Sequence, residues 1–397
     1  MEQHTRPLES AYAPGARRAL AFVLGAAACW GFAFSSFYLL PVFLTHELGA
    51  GPRDIGFVVG LFALATVACT PLVGRCVERY PRRYAIVAGA AAMSVSALGF
   101  LTIDSIGMAM GALRLVQGAS YALVLTAVGT VVADLAPPAH LSRLLGLAGA
   151  SMMLMNAIAP AIVEPLAIAA GWQAVFVLAA VAGVCSVVLA LQVQEPCRPA
   201  PTATGGLLEV LVQPVACHYA VVVACAGMTF GAVVTFEQPY VLSLGGVEVR
   251  SFFVAFAAAA ILIRLCCGHI PDRVGRHRVA VVSLSLYAGA AIAMAGLRPA
   301  SAPFLGMWFG LAHGMFYPSM NAIAVTAVRP EERGRILAIF TGAFSLGVWV
   351  GTTGLGVVAA SSGYAAVFVV AACGAAVATI VLALSRPLRG LAPVSLR

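Results

Sequence analysis

Runs of about twenty apolar residues, separated by short polar loops, follow one another along this whole chain. Two of these runs cover residues 251–267 and 279–297. Such a run is long enough to cross a bilayer as a helix, which satisfies its own backbone hydrogen bonds there. The chain is 61% hydrophobic and only 10% charged, whereas a soluble domain is nearer a quarter charged. The pattern predicts an all-α polytopic membrane protein with about twelve transmembrane helices.

A basic, glycine-containing loop between those two runs has a counterpart in the first half of the chain. The loop covers residues 268–278 and its counterpart covers 74–83, so that their first glycines are 194 positions apart. A glycine followed by an aromatic residue recurs at nearly the same spacing, at Gly171 and Gly363. A repeat of about half the chain length indicates that the whole architecture is duplicated.

The duplication predicts the domain organisation. We expect a first six-helix bundle with a short cytoplasmic tail in residues 1–193, a cytoplasmic linker in 194–213 and a second six-helix bundle in 214–397. The linker region is rich in proline, glycine and polar residues and is too short to be a domain. Since each half crosses the membrane an even number of times, the two bundles are parallel repeats.

The arginines predict the orientation of the chain, which contains no lysine. Most of them fall in the two tails, the repeated loops, the linker and the other loops on the same predicted side. The opposite side holds only Arg53, Arg250 and Arg298. Because positive charge marks the cytoplasmic side, we expect both termini in the cytoplasm and the chain in the inner or plasma membrane. The net charge of +8 then reflects topology and not nucleic-acid binding, because no aromatic residues are interleaved with the arginines.

Several classes of site are not expected. The ten cysteines lie mostly inside apolar runs and none lies in a predicted external loop, so we predict neither disulfides nor a metal site. Without lysine there is no P-loop to bind ATP, and no cofactor is expected. The first apolar run is too long for a cleavable signal peptide. We also expect the protein to be a monomer.

The two repeated loops share a pattern of glycine, acid and arginine. It resembles the signature G-x-x-x-D-R-x-G-R-R/K, which follows the second helix of each half in the major facilitator superfamily. The first copy departs from it, with Glu78 in place of Asp and Pro81 in place of Gly. The second copy matches it at Gly268, Asp272, Arg273, Gly275 and Arg276.

A further motif of the superfamily is present as Arg114, Gln117 and Gly118. The chain thus resembles this superfamily over essentially its whole length. The resemblance implies two parallel six-helix bundles that rock around a central substrate site.

The resemblance also implies a gating role for the signature loops. Acids and arginines at the cytoplasmic ends of helices can pair in one conformation and separate in the other. The alternative is that these arginines only determine topology. The predicted gating residues are Gly74, Glu78, Arg79, Arg82, Arg83 and Asp134 in the first half, and Gly268, Asp272, Arg273, Gly275, Arg276 and Arg278 in the second.

Arg114, Glu237 and Arg264 are candidate functional residues because they lie inside apolar runs, where charge is costly and points to function. The resemblance assigns Arg114 to proton coupling or cavity electrostatics; the alternative is a structural arginine bound to carbonyl groups. Glu237 is a candidate proton carrier or counter-charge for a cationic substrate, and the alternative is an interfacial glutamate that reaches water. Arg264 lies one turn before the second signature, which favours a role at the gate or at the cavity edge.

Uncharged polar side chains mark two further candidate cavity faces. His313, Tyr317 and Asn321 are spaced by four residues and share one helix face. Gln117 and Tyr121 share a predicted helix, and Asn156 lies on the next one. For each of these side chains, the alternative is a packing residue with a satisfied hydrogen bond.

The pattern as a whole favours a secondary active transporter that works by alternating access. We predict proton-coupled efflux, as an antiporter, of a drug-like compound, a siderophore or metallophore, or another small metabolite. Import of a small organic solute is the alternative. The segment around Pro160 lacks the glycines typical of drug exporters, which weakens the antiporter interpretation.

A more distant alternative is an intramembrane enzyme. It would use Ser120, which follows Gly118 and Ala119, as its nucleophile and His313 as its base. A three-residue match is expected by chance in a chain so rich in small residues. We therefore predict that the protein is not an enzyme.

Overall fold

The computed structural model describes residues 15–137, 140–195, 212–326, 328 and 333–385. Within these ranges all regular secondary structure is helical. The predicted N-terminal tail and nearly all of the predicted linker lie outside the described residues.

The described residues of the first half form six α-helices, of which α1 and α2 are separated by a single 3-10 turn at Phe37–Leu39. Pro41 lies in the first turn of α2, where its missing N–H costs nothing. The helices are α1 (Ala16–Ser36), α2 (Leu40–His46), α3 (Pro52–Arg79), α4 (Arg82–Gly99), α5 (Met108–Leu135) and α6 (Leu141–Leu191).

The second half follows a similar course. The second signature region, which is predicted as a loop, contains the short helix α9, and Pro271 lies in its first turn. A π-helical turn at Val350–Gly354 interrupts the eleventh predicted membrane helix. The helices are α7 (Pro214–Ser243), α8 (Arg250–Cys267), α9 (Ile270–Val274), α10 (Arg276–Met294), α11 (Ala302–Thr326), α12 (Arg333–Trp349), α13 (Leu355–Ser362) and α14 (Tyr364–Leu384).

Ten segments of the described ranges are long and apolar enough to cross a membrane. One of them, Leu144–Leu191, has 48 residues, or about 72 Å of helix, which is more than twice the roughly 30 Å hydrocarbon core. It is broken at Gly171, which has φ 79° and ψ 168°. Gly363 has nearly the same conformation, with φ 80° and ψ 169°. Only glycine adopts this conformation readily, so the repeat seen in the sequence is also present in the backbone.

The prediction of an all-α polytopic membrane protein is confirmed by these helices. The number of twelve crossings stays a prediction.

The chain divides into two compact units. The first comprises Met1–Gly49 and Leu61–Thr202, and the second comprises Ala50–Gly60 and Ala203–Arg397. The start of α3 therefore groups with the second unit. The predicted boundaries around the linker stay a prediction.

Close helix packing in each unit depends on small residues. A Cβ atom at Gly118 of α5 would collide with the backbone oxygen of Phe62 in α3. Gly347 and Gly351, at the junction of α12 and the π turn, approach the backbone of α7 equally closely. Without a hydrophobic force between helices in lipid, such backbone contact is a main source of helix association.

Candidate functional site

A buried arginine in the first unit lies against a group of aromatic rings. Arg114 of α5 is 5% exposed, and its Cζ atom is 5.1 Å from the centre of the Phe62 ring. Its Nη1 atom donates a hydrogen bond to Oε1 of Gln117, one turn later, at 2.5 Å. We call Arg114, Gln117 and the rings of Trp30, Phe34, Phe62 and Tyr121 the Arg114 cluster.

The rings of the Arg114 cluster come from three helices. Phe34 of α1 is central, with its ring centre 5.4 Å from that of Phe62 and 5.1 Å from that of Tyr121. Trp30 is stacked on Phe34 at 5.4 Å with nearly parallel planes. Phe34, Phe62 and Tyr121 are only half-buried. The cluster thus presents ring faces beside a buried cation.

Ser120 supports this arrangement as a structural residue. Its hydroxyl accepts a hydrogen bond from the indole N–H of Trp30 at 3.0 Å and donates one to the Gly89 carbonyl at 2.7 Å. A serine held in this way positions α1, α4 and α5. Nothing in this bonding activates the hydroxyl as a nucleophile.

Asn156, a predicted cavity residue, connects two helices of the first unit. Its Oδ1 atom accepts a hydrogen bond from Ser35 of α1 at 2.8 Å. Asn156 is half-buried on α6, and Ser35 is fully buried. This contact fits the packing alternative for Asn156.

His313 is the centre of an aromatic group in the second unit. Its Nδ1 atom is hydrogen-bonded to the Tyr287 hydroxyl at 2.5 Å. Five rings have centres 5.0 to 6.2 Å from the imidazole: those of Phe230, Phe256, Tyr287, Tyr317 and Phe344. We call these six residues the His313 cluster.

Two other predicted residues of the second unit lie near or beyond this cluster. Arg264 of α8 donates from Nε to the carbonyl of Gly314 at 3.1 Å, next to His313 in the sequence. This position fits a cavity edge better than a free cytoplasmic end. Asn321 lies two turns beyond His313 on α11 and is half-buried.

Glu237 on α7 is completely buried, at 0% exposure. The adjacent Gln238 is equally buried and donates to the Val234 carbonyl at 2.9 Å. The alternative of an interfacial glutamate that reaches water is therefore wrong for this structure.

Two buried polar residues were missed by the sequence analysis. Glu164 on α6 is 7% exposed, and its signal is an acid between Pro160 and Pro165 within an apolar run. Tyr287 has only a weak signal, because a tyrosine in an apolar helix is common. Its contact with His313, 26 positions away, depends on how α10 and α11 pack.

The first signature region contains an ion pair between two of the predicted gating residues. Arg82, at the start of α4, pairs with Asp134 near the end of α5 and also donates to the Thr130 carbonyl at 2.9 Å. The Cζ atom of Arg79, another predicted gating residue, lies 5.9 Å from the ring centre of Tyr80. The side chain of Glu78 lies outside the described residues.

The carboxylate of Glu195 caps the start of α4. It accepts hydrogen bonds from the backbone N–H groups of Arg82, at 3.1 Å, and Arg83. Pro81, which replaces the family's glycine, offers no side-chain cap, so a residue more than a hundred positions away supplies it. Arg83 adds a bond from Nη1 to the Val193 carbonyl at 3.4 Å.

The second signature region is similarly tied to the end of its half. His277, 194 positions after Arg83, bonds through Nε2 to the Leu382 carbonyl at 2.9 Å. Gly275 has φ 105°, a conformation that favours glycine and explains its place in the signature. Arg273 is exposed. The side chain of Asp272 lies outside the described residues.

The remaining signature residues occupy less constrained positions. A Cβ at Gly268 would contact the Arg264 carbonyl, whereas Gly74 faces open space. Arg276 and Arg278 lie in the first turn of α10. In the part of the chain that the structure describes, no three His, Cys, Asp or Glu side chains are close enough to hold a metal ion.

Comparison with known proteins agrees with this architecture. The family model of the Major Facilitator Superfamily matches residues 21–312 and 220–395. An uncharacterised MFS-type transporter of Burkholderia mallei is 25% identical, over 85% of this chain and 84% of that protein. The staphylopine export protein of Staphylococcus aureus is 22% identical, over 88% of this chain and 91% of that protein.

Solved structures show the same fold. The nucleoside transporter NupG superposes with a TM-score of 0.76 at 14% identity, over 92% of this chain and 99% of that chain. The human organic anion transporter MFSD10 gives 0.72 at 16% identity, over 93% and 100%. All four of these proteins are named as transporters or export proteins. The chain therefore belongs to the Major Facilitator Superfamily of membrane transporters.

Proposed function

We propose that this protein exports a small organic molecule in exchange for protons, by alternating access between two bundles. The observation that carries the proposal is the complete burial of the Glu237 carboxyl group on α7. A buried carboxyl group in a membrane helix is costly and is retained where it does work. In a secondary transporter, that work is the binding and release of a proton.

The composition supports a proton gradient as the energy source. The chain has no lysine and hence no P-loop of the usual kind. A proton gradient across the membrane supplies about 2.3 kcal/mol per charge for each 100 mV of potential. That is enough to drive a small molecule uphill without nucleotide hydrolysis.

The direction of transport rests on the similarity to the staphylopine exporter, which extends over 91% of that protein. Export of a drug-like compound, a siderophore or metallophore, or another metabolite fits this similarity. Import would require the opposite coupling between proton and substrate movement, and the experiment below separates the two directions.

The gate belongs to the same proposal. Arg82 and Asp134 are partly exposed at the ends of α4 and α5. An ion pair in this position can form in one state and break in the other, whereas a deeply buried pair is costly to separate. The cytoplasmic location of both termini is likewise a proposal, supported by the arginine distribution. The monomeric state stays a prediction.

The test compares cells with and without the gene by mass spectrometry of the cytoplasm and the medium. If the protein is an exporter, its substrate accumulates inside the deletion strain and is absent from the medium of that strain. A compound left unconsumed in the medium would show import and overturn the proposed direction. The strain is then complemented with Glu237→Gln and, as a matched control, with Glu47→Gln, which makes the same change at an exposed position on the first unit.

A further inference from the structure

Only one of the two polar atoms of the Gln117 side-chain amide has a hydrogen-bond partner among the described residues. Its Oε1 atom accepts the hydrogen bond from Arg114 at 2.5 Å. This contact determines the orientation of the amide, because a flipped amide would place its NH2 group against the N–H of the guanidinium. The Nε2 atom therefore points away from Arg114. It is buried and has no hydrogen-bond acceptor among the residues that the structure describes.

A buried donor without an acceptor is costly because its hydrogen bond to water is lost and not replaced, and Gln117 is 0% exposed. Proteins seldom retain such a group without a reason. At this site a ligand atom that accepts a hydrogen bond would remove the cost. The Nε2 atom of Gln117 therefore indicates an acceptor on the ligand.

The neighbouring Arg114 adds a positive charge to the same site. A guanidinium group is planar and presents its donors in a fixed fork, which matches a carboxylate. The Phe62 ring lies against Arg114 and limits its approach directions. A positively charged ligand end would be repelled here, whereas an anionic one is attracted.

The aromatic rings of the cluster indicate the chemistry of the uncharged part of the ligand. Phe34, Phe62 and Tyr121 have ring centres 5.1 to 5.4 Å apart and are only half-buried. Flat ring systems stack favourably on such faces. A compact inorganic anion would use the charge but not the rings.

We propose that the Arg114 cluster binds a planar organic anion, with its carboxylate on Arg114 and Gln117 and its ring on the aromatic faces. This names the substrate class and rests on the proposed transport function. Gln117 thus acts as a specificity-determining residue. The first unit alone contains all of these side chains.

Binding is tested on the purified full-length protein by calorimetric titration with sodium benzoate at neutral pH. Benzamide, which has the same ring without charge, and cyclohexanecarboxylate, which has the charge without a flat ring, are the comparison probes. We expect benzoate to bind about tenfold more tightly than benzamide, since a hydrogen bond between charged groups is stronger than one to a neutral amide. We expect cyclohexanecarboxylate to bind with a higher Kd than benzoate. In Phe62→Leu, the Kd values of the two compounds should be closer to each other.

Gln117→Glu is the decisive variant. Its carboxylate pairs with Arg114 inside the protein and replaces the carboxylate of the ligand, so the Kd for benzoate rises about tenfold or more. Arg114→Gln gives the same loss by removing the charge. Gln192→Glu makes the identical change at an exposed position at the end of α6 and leaves the Kd unchanged. If either cluster variant does not fold, Gln117→Met removes the donor at similar volume and weakens benzoate binding.

Three results would overturn the proposal. Benzoate and benzamide could bind with the same Kd, or chloride could displace benzoate as effectively as unlabelled benzoate does. The third result is that Gln117→Glu binds benzoate with the Kd of the wild-type protein. These outcomes leave the export proposal intact. The comparison of cells with and without the gene also separates the two ideas. A neutral or cationic exported compound overturns only the anion site, whereas benzoate binding without export of any compound overturns only the export function.

Discussion

Glu237 is a carboxyl group with no exposed surface on a helix that crosses the membrane. Its neighbour Gln238 is held by a backbone carbonyl one turn earlier. An ionisable side chain buried in an apolar helix is costly, and it points to a functional role. A carboxyl group can bind and release a proton, which fits the proposed role of Glu237 as the proton carrier.

Glu237→Gln should abolish the pH dependence of transport, because glutamine has the shape of protonated glutamate but cannot release a proton. The measurement is the transport rate in proteoliposomes over a range of pH, with Glu47→Gln as the exposed control. Wild-type pH dependence in Glu237→Gln would exclude this residue as the carrier.

At the same scale, helix spacing predicts the contact of Arg114 with Gln117, because residues three apart are neighbours on a helix. The contact of His313 with Tyr287 has no such local signal, since its two residues lie on different helices. The sequence shows where a polar or charged residue lies within an apolar run. It predicts the hydrogen-bond partner of that residue only when the partner lies one turn away on the same helix.

The packing of α5 on α3 illustrates the scale of the element. Gly118, a residue of the family motif, places the two helix backbones in contact. The hydroxyl of Thr66 on α3 donates to the Gly118 carbonyl at 3.2 Å across the same interface. The motif therefore combines a charged residue for the site with a glycine that lets the helices approach.

Gly118→Ala should destabilise the protein by about 1–3 kcal/mol, because the added methyl group meets the rigid backbone of α3. Gly129→Ala on the same helix is the control, since its Cβ would face open space, and alanine is the better helix former there. Thermal unfolding in detergent should show a lower Tm for the first variant only. Equal Tm values for both would disprove close packing at Gly118.

The ion pair between Arg82 of α4 and Asp134 of α5 gives a second prediction about contacts between helices. Asp134→Asn should slow transport while lowering stability by no more than about 1 kcal/mol, because the Arg82 pair is partly exposed. Asp104→Asn, at an exposed turn, is the matched control. Transport and Tm are measured on the same preparations. A normal transport rate in Asp134→Asn would remove this ion pair from the gate.

The orientation of the whole molecule depends on the distribution of arginine. In a variant without the ten native cysteines, Arg250→Cys should react with an impermeant thiol reagent added outside intact cells. Arg276→Cys should react only after the cells are opened. The opposite pattern of labelling would invert the predicted topology.

The sequence by itself determined the membrane class, the repeat and the superfamily. These depend on local hydropathy, on the spacing of glycines and on a short motif, all of which can be read along a single chain. The glycine–aromatic pairs at Gly171 and Gly363 show the same repeat in the sequence. In the structure these two glycines have nearly the same backbone conformation.

Only the tertiary structure decided which distant residues meet. It paired Asp134 with Arg82, placed the Glu195 carboxylate at the start of α4, and left the amide donor of Gln117 buried. Such contacts depend on the rotation and packing of whole helices. Periodicity tells which face of a helix is apolar but not which residue of a neighbouring helix lies opposite, because many packings bury the same apolar surface.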